Sequence, residues 1–190
     1  MIKRSEWAAV HCMEVFMSTA KIDFAMLSLR DALDLGILIE EEARERYEEL
    51  AAQMEVHHTP AAAGLFRFMI GNEAKHGAQL TARREALFGD EPRTVTRAML
   101  WDIEAPDYDE VRAFMTQRQA LEVARRAEEK AHAFFVAALP HVHNPDVRKL
   151  FEELRDEEVE HKQLLDVELS KLPPDPAVDT SDFEDEPVAQ

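Results

Sequence analysis

Apolar positions recur at alternating steps of three and four along four separate stretches of the chain. Leu33, Gly36, Glu40, Ala43, Tyr47, Leu50 and Met54 make the first stripe, and Phe66, Met69, Glu73, His76 and Leu80 the second. Leu121, Ala124, Glu128, Ala131, Phe135 and Ala138 make the third, and Phe151, Leu154, Glu158, His161 and Leu165 the fourth. Such spacing marks one buried face of an α-helix. The boundaries carry their own signals. The first pattern strengthens from Ser28. Thr59-Pro60 and Asn144-Pro145 each offer an N-cap followed by a proline suited to the first helical turn. The second stripe fades near Phe88-Gly89-Asp90, the third helix is expected to follow Asp107, and Pro140 ends it. Loops within each half are short, whereas residues 89–106, broken by Pro92 and Pro106, form a long connection. The pattern predicts an all-α fold, a four-helix bundle with one long crossover. Residues 28–172 make the bundle. Residues 1–27 are an N-terminal extension with room for a short helix. Residues 173–190, with six acids and no base, make a tail expected to be disordered.

The two halves repeat. Glu40, Ala43 and Tyr47 recur as Glu128, Ala131 and Phe135, an offset of 88. Phe66, Glu73, His76 and Leu80 recur as Phe151, Glu158, His161 and Leu165, an offset of 85. Two helical hairpins related by a pseudo-twofold follow from this. The repeat also pairs the polar residues that interrupt the stripes.

Composition narrows the chemistry. A net charge of -17 argues against nucleic acid and against an anionic membrane surface. The single cysteine, Cys12, excludes a disulfide framework, a zinc ribbon, an all-cysteine iron–sulfur site and a rubredoxin-type FeS4 domain. No stretch approaches the ~20 apolar residues of a membrane span, and no signal peptide is legible, so a cytoplasmic protein is expected.

Each stripe carries a polar break at mid-length: Glu40, Glu73 with His76, Glu128, and Glu158 with His161. Four carboxylates meeting in a bundle core are costly, because an unpaired desolvated ion loses several kcal/mol of hydration. The candidate counter-charges Arg44, Arg67 and Arg125 lie off the stripes, so a purely structural bundle has no obvious way to neutralise these acids. Two divalent cations balance the four charges, and the histidines add one neutral nitrogen each. Glu and His three apart share a helical face, and oxygen-rich ligation with some imidazole suits iron or manganese. Four Glu-x-x-His strings occur. Glu55–His58 lies at a helix end with its Glu off the stripe. Glu129–His132 would break the register with Glu40, so Glu128 is the preferred acid on the third helix; His132, one turn beyond Glu128 on nearly the same face, stays open as a further approach to the site. His57-His58 and His141-x-His143 read as solvated turns.

These residues resemble the ferritin-like di-metal carboxylate proteins, most closely the rubrerythrin-like branch. The segment EEEARERY (Glu40 to Tyr47) is similar to a rubrerythrin first-helix motif, and NEAKHGAQL and DEEVEHKQLL resemble the second and fourth helices. The resemblance covers residues 28–171 and implies a ferritin-like bundle. It implies that Glu40 and His76 bind one metal, that Glu128 and His161 bind the other, and that Glu73 and Glu158 bridge them. It also implies two Fe ions, with Mn as the alternative, and a homodimer or larger homo-oligomer. Two departures stand out. The chain lacks the cysteines of a rubredoxin domain, so electrons must come from a separate donor. Ala131 stands where rubrerythrins carry a further carboxylate. The expected activity is reduction of hydrogen peroxide or O2; Tyr47 reads as a core residue with a satisfied hydroxyl or, alternatively, as a catalytic hydrogen-bond or electron donor. The alternatives are a ferroxidase that handles iron and a non-catalytic helical bundle.

Overall fold

A computed structural model describes residues 22–99, 103–108, 111 and 115–174. Cys12, Trp101, most of the N-terminal extension and nearly all of the acidic tail lie outside the described residues. Four long helices are present among those described: α1 (Leu29–Val56), α2 (Pro60–Phe88), α3 (Gln117–Ala138) and α4 (Pro145–Lys171). Ser28 caps α1 by accepting from the Asp31 amide at 3.1 Å. The Asn144 side chain caps α4 by accepting from the amides of Asp146 and Val147.

Two boundaries differ from the sequence expectation. Thr59 makes no side-chain cap on α2; its hydroxyl donates back to the Met54 carbonyl at 3.0 Å. The turn before it is tight, with His58 at φ 57°, and the threonine satisfies an orphan acceptor at the end of α1 instead of an orphan donor at the start of α2. The third helix begins at Gln117, well beyond Asp107. Thr116 and Gln119 form a reciprocal capping box, each side chain accepting from the other residue's amide, at 3.1 and 3.0 Å.

The core falls into two apolar layers. One holds Leu33, Ile37, Leu80, Phe134, Phe135, Phe151 and Leu154. The other holds Tyr47, Leu50, Met54, Phe66, Met69, Leu121 and Leu165. The order in which each helix visits the layers fixes its direction. α1 and α4 run from the first layer to the second; α2 and α3 run from the second to the first. The crossover must therefore travel the length of the bundle to join the end of α2 to the start of α3, the topology of a ferritin-like bundle. α1 packs chiefly on α2 and α3 on α4, as two hairpins should.

Gly36 lets the hairpins close tightly in the first layer: a Cβ there would stand 3.1 Å from Leu80 Cδ1 and 3.5 Å from Leu154 Cδ1. Residues 22–27 cover the same end, where the Phe24 ring lies 6.0 Å from Phe134 and 6.3 Å from Phe151. A buried ion pair links Arg84 to Asp34 at 2.6 Å, and Arg84 also donates to the Gly89 and Glu91 carbonyls at the start of the crossover. Arg97 then grips Glu45 of α1 with two bonds, at 2.6 and 2.7 Å. No helix among the described residues is long and apolar enough to cross a membrane.

Candidate metal centre

Between the two apolar layers lies a layer of acids. Glu40 of α1, Glu73 of α2, Glu128 of α3 and Glu158 of α4 are all buried, with Glu128 wholly inaccessible. Each occupies the polar break in its stripe, so the helical period that buries Leu33 or Phe66 also aims these side chains inward. His76 and His161 sit one turn beyond Glu73 and Glu158 on the same faces and are half-buried. Their rings stack in parallel, 4.6 Å apart with a 3° angle between planes. The structure thus brings all six sequence-predicted residues to one level. Ligand atoms of Glu40, Glu73 and His76 lie within 4.8 Å of one another, as do those of Glu128, Glu158 and His161.

The electrostatics show how poorly this layer is satisfied by protein alone. Burial pushes Glu40 and Glu158 well above the ordinary carboxyl range; neighbouring Glu73 adds to the effect on Glu40. Burial, then the Glu128 charge, raises Glu73 to about 7. Burial lowers His76 to about 4, helped by the charge of His161. His161 goes the other way: burial opposes its charge, but contact with Glu128 and Glu158 prevails and raises it to about 10. Its Nδ1 stands 3.1 Å from Glu128 Oε2 and 3.7 Å from Glu158 Oε2. Of the ion pairs among the described residues, none joins a lysine or arginine to these acids. Arg44, Arg67 and Arg125 pair instead with Glu48, Glu55 and with Glu129 and Asp166. Both oxygens of Glu73, and one each of Glu40, Glu128 and Glu158, are buried without a hydrogen-bond partner. Buried acceptors left this way are destabilising. An oxygen-seeking divalent cation pair fits the orphaned atoms, and the histidine nitrogens complete the donor set.

A fifth acid joins them. Glu104, from the crossover, is 2% exposed, and ligand atoms of Glu73, Glu104 and Glu128 also lie within 4.8 Å of one another. Burial and then the Glu158 and Glu40 charges raise its pKa well above the usual range. Sequence periodicity could not find it, because it sits on no helix. The available signal was topological: it lies near the middle of a connection that must pass the mid-level of the bundle.

Tyr47 is fully buried two turns beyond Glu40 on α1 and stacks on Phe66 at 5.9 Å between ring centroids. Its hydroxyl has no partner. Burial raises its pKa well above 10, and the Glu128 and Glu73 charges add to this. The acids of the other two Glu-x-x-His strings form ion pairs of their own. Glu55 is exposed and pairs with Arg67, and Glu129 pairs with Arg125 and Lys162. His141 and His143 are exposed. Tyr108 is 58% exposed, lies under the Arg46 guanidinium and donates to Glu49. A cleft of about 350 Å³ between α1 and α2, walled by Ile37, Gly77 and Thr81, reaches Glu40 and Glu73 from outside.

A family model for rubrerythrin matches residues 31–169. The chain is also similar to a structurally determined, uncharacterised conserved protein from Magnetospirillum magnetotacticum. The two are 30% identical with a TM-score of 0.61, over 79% of this chain and 99% of that one. None of the curated proteins matches.

Proposed function

The chain belongs to the rubrerythrin family, and from that premise we propose that it is a di-iron oxidoreductase that reduces hydrogen peroxide or O2 with electrons from a separate donor. The observation that carries this reading is the buried layer of carboxylates whose oxygens lack protein partners. In this reading Glu40 and His76 would hold one ion, Glu128 and His161 would hold the other, and Glu73 and Glu158 would serve both. The iron pair, when bound, supplies two electrons to an oxygen–oxygen bond. The remaining work falls to the chain. The apolar layers above and below exclude bulk water and strengthen the electrostatics between them. The cleft between α1 and α2 admits a small oxidant at Glu40 and Glu73. Tyr47, with an unpartnered hydroxyl facing the charge of the acids, is the proposed donor of a hydrogen bond or an electron.

Metal content per chain, after expression with iron and manganese available, tests the reading beside a Glu73→Ala, Glu158→Ala double variant. Two iron ions in the parent, lost in the variant, with reductant-dependent peroxide consumption, support it. Two manganese ions would redirect it to a manganese enzyme. Iron oxidation by O2 without peroxide turnover would favour the ferroxidase alternative. A parent chain with no bound metal, and a variant equally stable, would refute the oxidoreductase.

A further inference from the structure

We propose that Glu104 is a seventh protein ligand of the metal pair, delivered by the crossover, so that metal binding fastens this connection to the bundle. The inference rests on the di-metal reading above and adds a residue outside the helical repeat.

Glu104 belongs to a buried run, Ile103 to Pro106, in a segment without regular secondary structure. An acid has no place in such a run unless something at the bundle level receives it. Its Oε2 is buried without a hydrogen-bond partner, and it meets Glu73 and Glu128, which belong to opposite halves of the repeat. A carboxylate so placed reaches toward both proposed metal positions. The segment that follows it is tied to two helices. Lys130 of α3 donates to the Ala105 carbonyl at 2.7 Å and to Asp107 at 3.1 Å, and Arg46 of α1 donates to the Pro106 carbonyl. Lys130, a cation close to this segment, is thereby engaged by the backbone and by Asp107. The third helix offers only the methyl of Ala131 one turn beyond Glu128. The crossover, not α3, therefore brings the additional carboxylate to this part of the site.

A purely structural role makes a different prediction. If Glu104 served only as a protonated hydrogen-bonding neighbour of Glu73, glutamine would replace it, because its amide also donates. As an anionic ligand, glutamine is a poor substitute. The test titrates metal-free full-length chain with Fe(II) under anaerobic conditions, and compares the parent with Glu104→Gln and Glu104→Ala. Hydrogen exchange of the peptide covering residues 103–108 is followed with and without metal. The parent should bind two ions and gain protection in that peptide. Glu104→Gln should remain folded, bind iron about 10-fold or more weakly, and lose the metal-dependent protection. Parental affinity and parental protection in Glu104→Gln would overturn the assignment while leaving the di-metal reading intact. A parent chain that binds no iron would overturn both. Should Glu104→Ala fail to fold, the near-isosteric glutamine variant still decides.

Discussion

Replacing Glu73 by glutamine should change the stability of this protein in opposite directions with and without metal. Burial and the Glu128 charge raise Glu73 from an ordinary 4.5 to about 7 in the metal-free bundle. A carboxyl whose folded value is raised disfavours folding once the unfolded chain ionises. Nothing is lost while both states are protonated. The penalty grows as pH rises from the unfolded value and is complete above the folded one. At 1.36 kcal/mol per unit, this amounts to about 3 kcal/mol at about pH 8 and roughly 1 kcal/mol or less at about pH 5. Glutamine keeps the shape and the hydrogen-bonding capacity but cannot ionise. Chelator-stripped Glu73→Gln should therefore melt above the stripped parent at about pH 8, by roughly 6–12 °C for a chain of this size, and close to it at about pH 5. After iron loading the order should reverse, because the variant has lost the anion proposed to serve both ions and gains less from the metal. Thermal denaturation followed by circular dichroism, at both pH values and in both metal states, reads all four quantities. A stripped variant that is destabilised equally at both pH values would refute the reasoning and make Glu73 a satisfied structural acid.

Two further substitutions probe the chain around the centre. Tyr47→Phe removes a buried hydroxyl that has no partner. It should leave metal content unchanged and stability equal or up to ~1 kcal/mol higher, while peroxide turnover falls by roughly 10²-fold; unchanged turnover in a steady-state assay would assign Tyr47 to the core alone. Thr116→Ala deletes half of the capping box that starts α3 and should cost about 1 kcal/mol in a denaturant melt without altering metal stoichiometry; no loss of stability would mean that the tertiary contacts of α3 alone set its start.

The six acids and histidines were legible because helical periodicity and side-chain polarity disagree at the same positions. A stripe that should be apolar for packing carries Glu or His at mid-length four times over, and the repeat relates each break to its counterpart. The structure gathers these breaks into one layer between two apolar ones. What the sequence could not show depended on relations that have no period. The Asp34–Arg84 pair joins two helices through residues that look, one at a time, like ordinary surface charges. Thr59 carries the right cap chemistry but spends its hydroxyl on the preceding helix, because the turn at His58 points it there. Glu104 is the most instructive case. Nothing local distinguishes it from the exposed acids on either side of the crossover. It becomes significant only when the directions of four helices force the connection past the acid layer, so its recognition needs the topology first and the chemistry second. The burden on the fold then has a common origin: the oxygens left orphaned on α1, α2, α3, α4 and the crossover converge on one volume. A cation entering that volume would relieve this burden, so the stability that the chain forgoes there would favour its binding.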